Sequence, residues 1–170
     1  MNTRAKTYGW LVKELKNNAK SIIGNERYGT VNKPTGTGKT SDIIYNISKD
    51  IRNNPDKKFM FGIATPRLKL SYQNAGNIIY CLNTVGLINP ENTMIIINPV
   101  DDINSYNDDT DMTDFTVTYL KDTKSINKKY VFVISCYKSH NKLENAIEKG
   151  LFKGYTTQEY WDEAHLVSVV

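Results

Sequence analysis

The residues best suited to chemistry form the run P-T-G-T-G-K-T, from Pro34 to Thr40. Glycines let the backbone wrap closely around an anion because no Cβ blocks the approach. The run lies between a strand-like and a helix-like segment, and a helix N-terminus directs free N–H groups toward a phosphate. In such a loop Lys39 reaches the β- and γ-phosphates and the Thr40 hydroxyl binds Mg²⁺. The spacing predicts a nucleotide-phosphate loop, although Lys33 stands where the full pattern has glycine. The alternative is an ordinary Gly/Thr turn before a helix.

A second candidate is the pair of adjacent carboxylates in D-E-A-H, residues 162–165. The carboxyl ends of parallel strands face the ligand crevice, and this pair follows a strand-like run. At such a position Asp162 can hold Mg²⁺, usually through water, and Glu163 can orient and deprotonate an attacking water. The tetrapeptide alone indicates little, because charged residues after a strand are common. Downstream of a phosphate loop, it indicates an ATP hydrolase.

The elements that must position these residues alternate between strand and helix. Strand-like runs occur at 28–33, 59–64, 94–97, 130–135 and 156–161. Apolar faces at helical spacing occur at 11–23, 40–51, 68–82 and 143–149. This alternation is typical of an α/β domain with a parallel sheet.

Together these motifs resemble those of superfamily 2 helicases and nucleic-acid translocases, in particular the DEAH-type DNA-dependent ATPases. The run 34–40 is similar to helicase motif I, and 162–165 is similar to motif II. The resemblance extends from about Lys6 to His165, and its matches follow the order found in the family.

Two further segments between these motifs carry the resemblance. Pro66, Leu70 and Gln73 match the P-x-x-x-L-x-x-Q spacing of motif Ia, directly after a strand-like run. The run S-C-Y-K-S at 135–139 is similar to the T-T-Y-Q-S segment that follows a strand shortly before motif II.

The resemblance implies the following site residues. ATP would be bound by Pro34, Thr35, Gly36, Thr37, Gly38, Lys39 and Thr40, with Tyr8 from the stretch that matches R-x-Y-Q. Thr40 and Asp162 would hold Mg²⁺, Glu163 would be the catalytic base beside the catalytic Lys39, and His165 would couple nucleotide to nucleic acid. The nucleic-acid backbone would lie near Pro66, Arg67, Tyr137, Lys138 and Ser139. Lysines and hydroxyls suit that role because they contact phosphate without reading sequence.

Two positions depart from the family pattern. The stretch K-T-Y-G at 6–9 lacks the glutamine that reads adenine, so adenine selectivity is not implied. The strand before motif II reads Q-E-Y-W at 158–161, whereas a central strand is normally apolar on both faces. A buried Glu159 without a partner is costly, so we expect either a short strand or an irregular edge there.

The implied fold is a P-loop NTPase RecA-like domain over residues 1–170, with a mostly parallel sheet flanked by helices and an acidic loop insertion at 101–114. A helicase binds ATP between two such domains, and the second supplies an arginine finger. Motifs III to VI do not occur here, so we expect an incomplete N-terminal domain whose partner domain acts in cis or in trans. Alone, it should bind Mg²⁺–ATP weakly and hydrolyse it slowly or not at all.

The net charge of +4 is unevenly distributed. Residues Asp101 to Asp114 include six aspartates and no Lys or Arg, which leaves +10 on the rest of the chain. A basic body favours polyanions, so nucleic acid, and DNA by the resemblance, is the expected partner. The acidic stretch lacks the glycine and the closing glutamate of an EF-hand, so we expect a solvated loop rather than a calcium site.

Composition also bears on location. No run approaches about 18 apolar residues and no apolar segment follows the N-terminus, so we expect no membrane partner and no secretory signal. Cys81 and Cys136 lie far apart, which is typical of reduced thiols. The expected location is the cytoplasm, or the host cytoplasm for a virus or phage.

Two other functions fit the same residues. One is a non-catalytic nucleic-acid-binding or partner-binding remnant of a helicase. The other is a different P-loop enzyme, such as a packaging ATPase or a nucleotide kinase, although D-E-A-H and the motif Ia spacing disfavour a kinase.

Overall fold

The computed structural model describes residues 3–17, 37–100, 109 and 111–162, which form four helices and five strands. The helices are α1 (Thr3–Asn17), α2 (Thr37–Asn53), α3 (Leu68–Thr84) and α4 (His140–Glu148). The strands are β1 (Lys58–Thr65), β2 (Thr93–Asn98), β3 (Thr116–Tyr119), β4 (Tyr130–Cys136) and β5 (Tyr155–Trp161). Two short 3₁₀ turns lie at Leu120–Asp122 and Tyr137–Ser139.

The strands form one parallel sheet in the order β3-β2-β4-β1-β5. Strand β1 pairs with β4 from Phe59↔Tyr130 to Thr65↔Cys136 and with β5 up to Ala64↔Trp161. The prediction of an α/β domain with a parallel sheet is confirmed. Because every strand runs in the same direction, the carboxyl ends of all five share one edge of the sheet.

The central strands are apolar on both faces because helices cover both sides. In β1 all residues but Lys58 are buried, and every residue of β2 and β4 is buried. Alternate residues face opposite layers: Phe61 packs with α1, α2 and α3, whereas Met60 packs on the side of α4. The Phe61 ring also lies 5.3 Å from the Phe132 ring, centroid to centroid. These continuous apolar runs are typical of a parallel sheet covered on both faces.

Most predicted elements are confirmed, and one strand was missed. The strand at Thr116–Tyr119 was not predicted, because it is short and none of its residues is fully buried. The predicted strand at 28–33 and residues 18–23 of the predicted first helix lie outside the described residues.

Two aspartates of the acidic stretch, Asp109 and Asp111, are bound within the fold, which differs from the solvated loop expected from sequence. The Arg4 guanidinium bonds both oxygens of Asp109, at 2.6 and 2.8 Å, and Asp111 Oδ2 at 2.7 Å. The three side chains are only 15–16% exposed, and Met112 is fully buried. Arg4 Nε also donates to Asn77 Oδ1 at 2.7 Å, so the cluster joins α1, α3 and the chain before β3. Burial lowers the pKa of Arg4, but its bonds to the two carboxylates outweigh that effect and raise the pKa.

None of the helices in the described ranges combines the length and the apolar character needed to cross a membrane.

Candidate functional site

Three segments that carry the family motifs end at the same edge of the sheet. Strands β1, β4 and β5 are neighbours, and their pairing continues to the last residue or the last but one of each strand. The residues that follow the three strands are Pro66, Tyr137 and Asp162. The tertiary fold therefore brings the motif Ia match, the segment before motif II and the first residue of D-E-A-H together.

Asp162 is held in place by contacts from three elements. The Asp162 backbone N–H donates to the Ala64 carbonyl at 2.9 Å, and the Tyr137 hydroxyl donates to the Asp162 carbonyl oxygen. The Asn74 side-chain amide donates to its Oδ2 at 2.7 Å. A carboxylate fixed in this way at the carboxyl end of a strand is a suitable metal ligand, because its position is set before an ion binds.

Sequence reasoning missed Asn74, the residue directly after Gln73 of the motif Ia match. Asn74 is 6% exposed and lies on the buried face of α3. Ser71, one helical turn earlier, is fully buried and donates to the Ser135 carbonyl at 2.5 Å. Ser71 and Asn74 lie at helical spacing beside the apolar residues of α3, and this pattern could have indicated them in the sequence. Buried polar groups require hydrogen-bond partners, so such residues are expected to make specific contacts.

The Tyr8 phenol interacts with residues of two other elements. The side-chain hydroxyls of Tyr8 and Thr40 are hydrogen-bonded, and the Asp162 charge acts on the same phenol. Burial raises the pKa of Tyr8, Asp162 adds to the rise, and the bond to Thr40 opposes it. Tyr8 of α1 is therefore within interaction range of both Thr40 of α2 and Asp162 at the end of β5.

Tyr8, a predicted nucleotide-binding residue, is buried. Its side chain belongs to the core and is 4% exposed, so the ring offers little surface on which a base could stack. Its hydroxyl reaches Thr40, which places Tyr8 beside the metal-binding candidates.

The phosphate-loop residues lie at the start of α2. This helix begins at Thr37, three residues earlier than predicted, so Gly38, Lys39 and Thr40 lie in its first turn. Thr40 is 5% exposed and Lys39 is partly buried. Pro34, Thr35 and Gly36 lie outside the described residues. A helix that begins within the motif is the arrangement that presents backbone N–H groups to a phosphate.

The residues present are chemically suited to Mg²⁺ in a nucleotide complex. A hydroxyl and a carboxylate are the hard oxygen ligands that this ion prefers. The described part of the chain contains no cluster of three or more His, Cys, Asp or Glu side chains that could hold a metal. An ion held by Thr40 and Asp162 would therefore take its other ligands from phosphate and water, as Mg²⁺ usually does at nucleotides.

Two of the predicted nucleic-acid contacts are accessible cations at this edge. Arg67 caps the N-terminus of α3 and is exposed, and Lys138 is exposed after β4. Pro66 is partly buried at the turn between β1 and α3. Because β1 and β4 are neighbours, both charges lie on the same side of the sheet edge.

Tyr137 joins this edge to the end of β5. Its ring stacks on Trp161, with centroids 5.1 Å apart and planes 26° apart, and its hydroxyl reaches the Asp162 carbonyl. Tyr137 therefore links the segment that carries Lys138 directly to Asp162.

Ser139 does not contact phosphate, which corrects its predicted role. It is fully buried, and its hydroxyl donates to the Asn98 carbonyl at 2.6 Å. In return the Asn98 amide donates to the Ser139 carbonyl at 2.8 Å and to Ser135 Oγ at 3.0 Å. Ser139 therefore fastens the end of β2 to the turn after β4.

The polar strand before motif II has a structural explanation. Strand β5 is neither short nor irregular, since its seven residues pair with β1 in unbroken register. It is the last strand on its side of the described sheet, where Glu159 is 32% exposed in its side chain. Glu159 Oε1 lies 3.2 Å from His140 Nε2, and Glu144 Oε1 lies 3.1 Å from the same atom. Burial raises the pKa of Glu159, His140 opposes the rise and Glu144 adds to it.

Two predicted site residues, Glu163 and His165, lie outside the described residues. Comparisons with protein-family models, curated proteins and solved structures find no match for this chain.

Proposed function

We propose that the chain is the ATP-binding N-terminal domain of an ATP-dependent helicase or translocase that acts on nucleic acid, with DNA as the expected substrate. The observation that supports it best is that Tyr8 interacts with both Thr40 and Asp162. A Mg²⁺–nucleotide site needs a hydroxyl at the start of a helix close to a carboxylate at the end of a strand.

In this proposal each residue has a distinct task. The first turn of α2 and Lys39 hold the phosphates, because both present positive charge or N–H donors. Thr40 and Asp162 would hold Mg²⁺, which would neutralise negative charge on the phosphates. Asn74 holds the Asp162 carboxylate in its orientation. Glu163, the next residue, is the candidate base for the attacking water.

The nucleic-acid part of the proposal rests on Arg67 and Lys138. Both side chains are exposed cations at the carboxyl edge, which suits contacts with phosphates. Tyr137 follows the strand that delivers Lys138 and bonds to Asp162. A movement of the bound nucleic acid can therefore change the position of Asp162, the proposed metal ligand.

Nucleotide titration tests the proposal. Binding of a fluorescent ATP analogue with Mg²⁺ should weaken at least about tenfold in Lys39→Ala, because one charge-assisted phosphate contact is worth about 1.5–3 kcal/mol. Lys13→Ala is the matched control, since Lys13 is an exposed lysine of α1. Asp162→Asn should abolish the gain in affinity that Mg²⁺ gives, while its amide oxygen still accepts the Asn74 bond. Unchanged binding in Lys39→Ala would contradict the proposal.

The alternative, a non-catalytic nucleic-acid-binding remnant, predicts a different set of results. DNA would be retained equally with and without ATP, and Glu163→Gln would leave nucleotide turnover unchanged. A polar strand before Asp162 would favour this alternative if its charged side chain had no partner. The pairing of Glu159 with His140 accounts for that strand.

A further inference from the structure

A cleft lies on the face of the sheet that α4 covers, between α4, the 3₁₀ turn at Leu120–Asp122 and the end of β2. It encloses about 570 Å³ and is lined by four lysines, Lys121, Lys124, Lys142 and Lys149. The described residues that line it include no Asp, Glu or aromatic residue. All four lysines are exposed residues. Neither the proposed nucleotide site nor the Arg67 edge uses these residues.

Helix α4 separates its charges between two faces. Lys142 and Asn145 of α4 line the cleft together with Lys149, the C-cap residue directly after the helix, at spacings of three and four residues, which correspond to one helical face. The acidic residues of the same helix, Glu144 and Glu148, do not line it. Glu144 instead faces His140, with its carboxylate 3.1 Å from the imidazole. The helix therefore presents only positive charge to the cleft.

The walls of the cleft are held by hydrogen bonds. The Lys142 ammonium donates to the carbonyls of Pro99 and Val100, at 3.1 and 2.8 Å. An ammonium has three donors, so one hydrogen remains for a ligand. On the opposite wall Thr123 Oγ1 donates to the Tyr119 carbonyl at 2.8 Å, and it lies 3.0 Å from Thr118 Oγ1. These bonds fix the turn that carries Lys121 and Lys124.

We propose that this lysine cleft binds phosphate groups of a single nucleic-acid strand, independently of base sequence. The inference rests on the nucleic-acid part of the proposed function, and it adds a second contact region. Lysine is a point charge that meets a phosphate oxygen, whereas planar carboxylates are matched better by the arginine fork. A cleft without aromatic rings has nothing on which bases stack, so contacts there are made to the backbone. Its volume is larger than one phosphate requires.

The test is the salt dependence of DNA binding by the whole chain without nucleotide. The probe is a fluorescent 20-nucleotide oligothymidylate, followed by anisotropy from low to moderate salt. Replacing Lys121, Lys124 and Lys149 by glutamine removes three candidate phosphate contacts. Each contact contributes about 0.7 to the slope of log K against log salt for a single strand, so the slope should become shallower by about 2. Affinity at low salt should fall by more than tenfold.

A charge-matched control separates the cleft from net charge. Lys13, Lys16 and Lys57 are exposed and do not line the cleft, and their triple glutamine variant loses the same charge. Its slope should stay within about 0.5 of the parent value. Replacing the three cleft lysines by arginine should retain the parent slope, because the charges remain.

The proposal would be overturned by equal changes in both triple variants, by an unchanged slope in the cleft variant, or by absence of DNA binding in the parent chain. It would also be overturned if polyglutamate, but not pyrophosphate, displaced the DNA, since an acidic protein would then be the ligand. The readout contains no ATP, so it is independent of the Lys39→Ala titration. A loss of slope together with unchanged nucleotide binding in Lys39→Ala would support the cleft and reject the helicase proposal.

Discussion

The Arg4 cluster, in which Arg4 binds Asp109, Asp111 and Asn77, allows a prediction about stability. We expect Gly76→Ala to destabilise the parent chain but not a chain in which Arg4 is replaced by alanine. Gly76 lies in the interior of α3, below the guanidinium of Arg4. A Cβ added at Gly76 would lie 2.6 Å from Asp109 Oδ2 and 2.7 Å from Arg4 Cζ, both far inside van der Waals contact. The guanidinium cannot move aside freely, because it is bound to Asp109, Asp111 and Asn77. Gly76→Ala should therefore strain the cluster.

The size of the effect follows from two opposing contributions. Glycine to alanine inside a helix ordinarily stabilises by about 0.5–1 kcal/mol. Inserting a methyl group into a filled site costs about 1–3 kcal/mol. The net expectation for Gly76→Ala is a loss of up to about 2.5 kcal/mol, or up to about 10 °C in Tm for a chain of this length.

Arg4→Ala changes that balance. Alone, it removes the guanidinium that bonds Asp109 and Asp111, and breaking a fully buried pair costs about 3–5 kcal/mol. These carboxylates keep 15% of their side-chain exposure, so we expect about 2–3 kcal/mol. In that background the guanidinium is absent and no longer holds the Asp109 carboxylate near Gly76, so Gly76→Ala should become neutral or stabilising. The coupling energy between the two sites should be about 1–3 kcal/mol.

The assay is urea unfolding of the parent, both single variants and the double variant, followed by circular dichroism. Lys6→Ala is the control for charge, because Lys6 is exposed on the same helix. Its free energy of unfolding should change by less than about 0.5 kcal/mol. The reasoning is refuted if Gly76→Ala stabilises the parent chain, or if its effect is the same with and without Arg4.

Two further predictions concern titratable groups. Burial raises the pKa of Cys81 to about 12, so iodoacetamide at pH 8 should leave it unmodified in the folded chain and label it in urea, as read by peptide mass spectrometry. Labelling of Cys81 at the rate of a free thiol in native buffer would contradict its burial. The folded pKa of Glu159 is raised above its usual 4.5, so its stabilising contribution is present below pH 4.5 and is lost as the pH rises through the folded value. Glu159→Gln should therefore raise the free energy of unfolding, relative to the parent, more at pH 7.5 than at pH 4. The difference should be less than about 1 kcal/mol because the group is partly exposed. A smaller gain at pH 7.5 than at pH 4 would mean that His140 outweighs burial.

The fold class could be predicted because its signals are local and periodic. Strand β4 reads Y-V-F-V-I-S-C, and α3 repeats its apolar residues every three or four positions. Strand β3 lacks such a signal, since it is four residues long and half-buried at an end of the sheet. Its formation depends on pairing with β2, which sequence spacing does not report.

The candidate site could be predicted in part. Lys39, Thr40 and Asp162 belong to motifs whose residue types suit phosphate and metal chemistry. Ser139 also has a suitable type, but its hydroxyl is enclosed with Asn98, and only burial reveals that. A side chain's chemistry is visible in the sequence, whereas its exposure depends on what the rest of the chain places around it.

By itself, the amino-acid sequence determined the alternation of strands and helices and the positions of the phosphate-loop and carboxylate motifs. Only the tertiary structure decided which distant residues meet. It brought Asn74 to Asp162, Arg4 to Asp109, and the lysines of α4 to those after β3. The physical reason is that hydrogen bonds, ion pairs and charge clusters act over a few ångströms in space. Those distances are set by sheet order and register, and separation along the chain does not encode them.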